Sequence, residues 1–358
     1  MVTSKNNIKR IVISCNSYWY AFNFRASTIT HFKKLGFEVF VVAPRDKYYG
    51  SKVHDLGART CDIRLIPNGT NPFSELISVF SILLSYRKLH PDCVLHFTPK
   101  NTIYGTFSAW ILGIKCINNI SGRGKVFSKS NILSLFVTFL YKKILNKSSH
   151  IFFKNNEDKI FFEELGVTSA GKLSLISGSG VDVDRFGYRE LSVGESISFL
   201  MFGRLLSEKG VDEFLEAAKH LSGGRVRFSL VGFVDQNDPL LLARIKKAAA
   251  AKYIDFKPPV DDVFPIIVDS HCVVLPSYYS EGIPKSLIEG LSVGRPIITT
   301  DNIEVFNGNN GFLIEPRSTK ALVAAIEKFI LLCPDEMRHM GRESRGYAVS
   351  RFDQRNMI

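Results

Sequence analysis

Short β-branched apolar runs recur along the whole chain, each separated from the next by a stretch of helical periodicity. They read "RIVIS", "EVFVVAP", "CVLHF", "CINNIS", "HIFFK" and "LSLIS", then "ISFLMFG", "VRFSLVG", "CVVLP" and "PIITT". Strands that are apolar on both sides need cover on both faces, which a parallel sheet receives from its crossover helices. The expected class is therefore α/β. Glycines, acids and serines break the rhythm in "LSLISGSGVDVDRFGYRELSVGESIS", placing a hinge near residues 180 to 195. At 358 residues the chain exceeds what one core serves. The expectation is two facing Rossmann-like doubly wound domains, 1–185 and 186–358, with a cleft between them and ligands at the carboxyl ends of the strands.

Charge separates the two halves. Residues 1–150 carry 21 Lys and Arg against 6 Asp and Glu, a surplus of +15, so the first half holds more than the whole net charge of +12. Such a half suits nucleic acid, an anionic lipid surface or a polyphosphate. Nucleic acid is disfavoured, because no recognition-helix, zinc-finger or RNP pattern accompanies the charge. "NILSLFVTFLYKKILNK", residues 131–147, is too short and too basic at its flanks to span a bilayer. It reads either as a core helix or as an interfacial helix on anionic lipid. The six cysteines lack CxxC spacing and four of them lie in strand-like runs, as buried thiols of a reducing compartment do. The N-terminal apolar segment is too short for a signal peptide, which points to the cytoplasm.

Two motifs of the second half carry chemistry. "FLMFGRLLSEKGVDEFLEAA" is a buried strand that turns at Gly203 and enters a helix near Val211, so Arg204 and Lys209 emerge where strand gives way to helix. Two cations beside free backbone amides make a diphosphate site, or else two exposed basic residues on a loop. "SYYSEGIPKSLIEG" sets Glu281 and Glu289 eight positions apart across a helix start near Pro284. Gly282, Ile283 and their neighbours would offer unpaired amides there, and Pro284 none. Glu289, inside the helix, can accept from the vicinal diol of a ribose; the plainer readings are a helix-dipole carboxylate for Glu281 and a solvated position for Glu289.

"GRLLSEKG", "HCVVLPSYYSEGIPKSLIEGLSVGRPIITTD" and "NGFLIEP" together resemble the family 4 retaining glycosyltransferases of the GT-B fold, whose Glu-x7-Glu signature falls on Glu281 and Glu289. "FNFRASTITHFKKLGFEVFVVAP", "HFTPKNTIYGTFSAWILGIKCINNISGRGKVFS" and "ISGSGVDVDRF" are similar to the bacterial branch that builds O-antigen or capsular repeat units on polyprenyl diphosphate. The resemblance implies that Arg204 and Lys209 hold the diphosphate of a UDP-sugar, Glu289 its ribose and Glu281 the hydroxyls of its sugar, an N-acetylhexosamine or related hexose. It implies no metal and no other cofactor, with Ile283 as the phosphate-side amide and "DVD" at Asp182 to Asp184 as a structural element. The acceptor would be a lipid-diphosphate-linked saccharide, and the enzyme would lie peripherally on the inner face of the cytoplasmic membrane.

Several departures from the family pattern leave other readings open. Many members place a histidine after the fifth strand of the first domain, where this chain has Asn118, Asn119 and Ser121. Asn119 or Ser121 is then a candidate for the sugar side, and His96 the nearest histidine candidate, with a structural histidine as its alternative. Arg25, expected at a helix start, is a candidate for the acceptor diphosphate together with Lys100 and Arg123; surface charge is the competing view. The loop between "TTD" and Glu304 is about four residues shorter than in this branch, and the chain ends at "SRFDQRNMI" where such enzymes send a last helix back to the first domain. The alternatives are a catalytically impaired nucleotide-sugar-binding scaffold and a non-transferring UDP-sugar epimerase.

Overall fold

The computed structural model describes residues 10–66, 71–120, 132–167, 170–176, 180–234, 238–278, 283–301 and 303–356, with the side chains of 132–137, 170 and 356 left aside. The chain forms two units, Met1–Ile176 (with Ile358) and Ser177–Met357.

Unit 1 alternates β1 (Arg10–Ser14), α1 (Tyr18–Lys34), β2 (Glu38–Pro44), α2 (Lys47–Asp55), β3 (Arg59–Ile63), α3 (Pro72–Leu89), β4 (Cys93–Phe97), α4 (Pro99–Ile111), β5 (Lys115–Ile120), α5 (Ile132–Leu145), β6 (His150–Phe153), α6 (Asn156–Glu164) and β7 (Leu173–Leu175). Its strands are parallel in the order β3-β2-β1-β4-β5-β6-β7. The chain builds outward from β1 to β3 and then returns to lay β4 beside β1. The gap between β1 and β4 is the topological switch point, where such sheets take ligands. Alternate side chains of β1 feed different cores. Val12 packs with Ile82, Tyr86 and Leu89 of α3, and Ile13 with Tyr18, Ala21 and Ile29 of α1. Ser17 caps α1 by accepting from the Tyr20 amide, and Asn71 caps α3 by accepting from Phe73, with Pro72 in the first turn.

Unit 2 contains β8 (Ile197–Leu205), α7 (Val211–Leu221), β9 (Val226–Val234), α8 (Pro239–Ala250), β10 (Asp255–Lys257), α9 (Phe264–Val268), β11 (Cys272–Leu275), α10 (Lys285–Val293), β12 (Ile297–Thr300), β13 (Gly311–Ile314), α11 (Thr319–Ile330) and α12 (Pro334–Phe352). The order is β10-β9-β8-β11-β12-β13, all parallel, with its switch point between β8 and β11.

The strands the sequence reading leaves out are β3, β10 and β13, and all three are sheet edges. An edge strand is half solvated, so "RTCDI" and "DFK" show no buried apolar run. The 131–147 segment contains α5, whose Tyr141 and Leu145 are buried with Phe162 while Phe139, Lys142 and Lys143 are exposed. The cysteines are unpaired, and burial pushes the Cys15 thiol up to about 12 and Cys93 to about 11. Among the described residues no helix is long and apolar enough to cross a membrane.

Candidate functional site

In unit 2 the residues singled out from sequence gather at the carboxyl edge of β8 and β11. Arg204, next to last in β8, is exposed and has no hydrogen-bond or ion-pair partner among the described residues. Lys209 ends a single 3₁₀ turn, Ser207–Lys209, and is buried. Gly210 follows at φ +80° and caps α7; a Cβ there would stand 2.3 Å from the Pro276 carbonyl oxygen. That close approach draws the loop after β8 against the loop after β11. The Tyr278 amide donates to the Glu208 carbonyl at 3.0 Å, completing the junction. Gly203, at φ +121°, is exposed in the strand's last turn, where only glycine is at ease.

The helix after β11 supplies amides to the same edge. Pro284 stands outside α10 as its N-cap in extended conformation, one residue earlier than a first helical position. The first helical hydrogen bond comes from the Ile288 amide to the Pro284 carbonyl at 3.3 Å, so the amides of Ser286 and Leu287 have no helical acceptor. The Ile283 amide has no acceptor among the described residues. Free amides and the positive end of the helix dipole make this edge attractive to an anion. Glu281 and Gly282 lie outside the described residues. Glu289 sits in the second turn of α10, 9% exposed, with its carboxylate 3.8 Å from Lys285 Nζ. Burial raises its pKa, Lys285 and Arg185 oppose the rise, and Asp262 adds to it. A buried carboxylate held by a single ion pair retains lone pairs for hydroxyl donors.

Unit 1 has a second polar constellation at its own switch point. Arg25 lies in the middle of α1, not at a helix start, because Ser17 begins that helix two turns earlier. It is only 6% exposed, yet no carboxylate pairs with it among the described residues. Its guanidinium stacks on Phe97, 4.0 Å from the ring centre, and donates to the Tyr20 hydroxyl at 3.1 Å, while its Nε has no partner. Phe97 ends β4, and its register partner on β5 is Asn119. Asn119 is 8% exposed, and its Oδ1 is also unpartnered. One orphan donor and one orphan acceptor therefore border the same strand ends. Thr98, the residue after Phe97, is held at φ +77°, a strained setting often met at functional sites. The aromatic walls of Arg25 were not anticipated, although "WYAFNFRAS" places Tyr20 and Arg25 five residues apart.

Other sequence candidates are placed elsewhere. His96 is wholly buried on the opposite face of β4 and belongs to the core. Its Nδ1 donates to Asn118 Oδ1 at 2.9 Å, its Nε2 accepts from the Tyr86 hydroxyl at 3.0 Å, and burial lowers its pKa to about 4. The hydrogen-bond partners set this tautomer. Lys100 turns toward α3, paired with Glu75 at 2.6 Å and donating to the Ile66 carbonyl at 2.8 Å. Ser121 and Arg123 lie outside the described residues. Asp182 accepts from the amides of Asp184 and Arg185 at 3.1 and 3.0 Å, holding a turn. Among the described residues no group of three or more His, Cys, Asp or Glu is arranged to hold a metal.

Two doubly wound parallel sheets, with cations and amides gathered at one edge of the second, make the architecture of the GT-B fold. Residues 196–331, within the second unit, match the family model Glycosyl transferases group 1. The chain is 26% identical over 336 residues to the N,N'-diacetylbacillosaminyl-diphospho-undecaprenol alpha-1,3-N-acetylgalactosaminyltransferase of Campylobacter jejuni, covering 88% of this chain and 87% of that protein. It is 28% identical over 276 residues to the UDP-Gal:alpha-D-GlcNAc-diphosphoundecaprenol alpha-1,3-galactosyltransferase of Escherichia coli, covering 70% and 69%. In fold it is similar to Anabaena HepE, solved in complex with UDP and glucose, with a TM-score of 0.80 at 15% identity over 98% of this chain and 97% of that one.

Proposed function

We propose that the protein is a retaining glycosyltransferase that moves an N-acetylhexosamine or related hexose from a UDP-sugar to a polyprenyl-diphosphate-linked saccharide in bacterial surface polysaccharide synthesis. The observation that carries the donor half is the meeting of an unpaired guanidinium, a buried ammonium and free helix-start amides at the β8–β11 edge. A diphosphate is the anion that fills such a set, and a buried acid one turn and a half into the adjoining helix suits a ribose diol.

Bond breaking at the sugar carbon leaves negative charge on UDP. Arg204 and Lys209 oppose that growing charge together with the Ile283 amide. Glu289 accepts from the ribose hydroxyls, and Glu281 contacts the hydroxyls of the sugar. Because fixed cations meet the diphosphate, the proposed reaction uses no metal. On unit 1, Arg25 binds the acceptor's diphosphate, with Asn119 as a hydroxyl partner beside it. The named acceptors of the Campylobacter and Escherichia relatives are undecaprenol-diphosphate saccharides, which supports this half of the reading. With such an acceptor the proposed enzyme works on the cytoplasmic face of the inner membrane.

The test is UDP release from a panel of UDP-sugars, with and without a polyprenyl-diphosphate saccharide, in chelator. Acceptor-dependent release with retained anomeric configuration is expected. Conversion of a UDP-sugar without acceptor would make the protein an epimerase, and UDP-sugar binding without any turnover would make it a scaffold.

A further inference from the structure

Helix α3 is apolar on two opposite sides. Ser78, Ile82, Ser85, Tyr86 and Leu89 are buried against the sheet. On the far side Phe73, Leu76, Ile77, Phe80 and Leu84 are 79, 57, 50, 59 and 62% exposed. At 3.6 residues per turn these five fall within a sector of roughly 100°, so they form one unbroken stripe about 17 Å long. A helix covering a sheet ordinarily turns charge outward, and a contiguous apolar face turned to solvent marks an interaction surface.

Charge identifies what covers it. Arg87 and Lys88 continue the exposed side past Leu84. Helices α3, α4 and α5 pack side by side and have a single carboxylate among them, Glu75, which is engaged by Lys100 and by the Tyr104 hydroxyl at 2.6 Å. On α4 and α5, Trp110 and Phe139 are 53 and 54% exposed, and a lysine stands over each ring. Lys147 Nζ lies 5.1 Å from Trp110 and Lys143 Nζ 5.9 Å from Phe139. Aromatic and aliphatic side chains bordered by cations, with no free acid on the three helices, complement a lipid headgroup layer of negative sign. A second copy fits worse, since stacking the face on itself opposes two surfaces of one sign.

We propose that the outer face of α3 docks the protein on an anionic bilayer, its five apolar side chains entering the boundary between headgroups and acyl chains while Arg87 and Lys88 meet lipid phosphates. This deepens the reading of a membrane-surface transferase and moves the contact from α5, the segment its sequence singled out, to α3.

Vesicle sedimentation of the full chain, without donor or acceptor, tests the docking apart from the chemistry. Wild type should bind vesicles of phosphatidylcholine with about 30% phosphatidylglycerol at least about tenfold more tightly than phosphatidylcholine alone. Phe80→Glu with Leu84→Glu should abolish binding, and Arg87→Gln with Lys88→Gln should remove the preference for anionic lipid. The milder pair Phe73→Gln and Ile77→Gln should weaken binding to both vesicles, with unchanged melting temperature confirming an intact fold. Turnover on a water-soluble short-prenyl acceptor should be unchanged in all variants. Equal vesicle binding by wild type and the Phe80/Leu84 variant would overturn the proposal. So would a wild-type dimer in light scattering that this variant converts to monomer. Loss of sugar transfer with normal vesicle binding would instead defeat the transferase reading and leave the docking face standing.

Discussion

The Arg25 guanidinium lies over the ring of Phe97, 4.0 Å from its centre, buried and without a carboxylate among the described residues. A cation in that position loses hydration and regains little of it from the ring and one tyrosine hydroxyl. The fold bears a cost there that an anionic ligand would offset.

Arg25→Met should therefore leave the melting temperature unchanged or raise it, by up to about 1–2 kcal/mol of added stability, since a buried unpaired charge gives way to an apolar stem. The same variant should raise the KM for a lipid-diphosphate acceptor at least about tenfold, with the KM for UDP-sugar unaltered. Thermal unfolding and steady-state kinetics with each substrate varied check the two halves. A marked loss of stability with normal acceptor kinetics would assign Arg25 to the core.

Arg204→Ala should lower kcat by roughly a hundredfold, on the scale of a lost charge-stabilising donor, with little change in melting temperature because the side chain is exposed and unpaired. Single-turnover measurement of UDP release reads this directly. Near-normal turnover would remove the role assigned to Arg204.

Glu289→Gln separates binding from stability in another way. Burial raises the Glu289 pKa, so its contribution to stability is fully present below the unfolded carboxyl pKa and is lost as pH rises through the folded value. At neutral pH the neutral amide should cost no stability, and it should weaken UDP by about tenfold through poorer acceptance from the ribose diol. Calorimetric titration with UDP and with a 2′,3′-dideoxy analogue tests this. The variant and the wild type should bind the analogue equally.

His96 gives the protein a defined acid sensitivity. Its folded pKa of about 4 lies below the unfolded value near 6.5, so unfolded chains take up the proton first. The neutral imidazole's contribution is complete above pH 6.5 and is lost as pH falls toward 4, on the order of 3 kcal/mol across that window. Denaturant unfolding at stepped pH should show the slope, and His96→Gln should flatten it. Turnover above pH 6.5 should carry no titration from this residue.

The second sheet's site was legible because it is local. "GRLLSEKG" runs from the end of β8 to the glycine that caps α7, and "EGIPKSLIEG" contains the start of α10, each within a dozen residues, and such punctuation is written in glycine, proline and charge. Strong apolar runs such as "FLMF" mark strands like β8, whereas β3 and β10 are edges whose solvated side carries no such signal. Arg204 and Glu289 were named from spacing, and the carboxyl edge of adjacent β8 and β11 brings them to one end of the sheet.

Sequence alone determined the α/β class and the local strand-to-helix turns that carry Arg204 and Lys209, because periodicity and turn chemistry act over a few residues. Tertiary structure alone decided which side of each element meets solvent. His96 and Asn119 come from neighbouring strands with similar apolar surroundings, yet strand alternation sends the first into a satisfied core network and the second to an edge with an unmet acceptor. On α3 both sides are apolar, so its pattern could not say which one the sheet would cover; packing buried Ile82 and Tyr86 and left Phe80 and Leu84 outside. A residue's partners across the fold are set by the whole sheet order, and no window of sequence contains them.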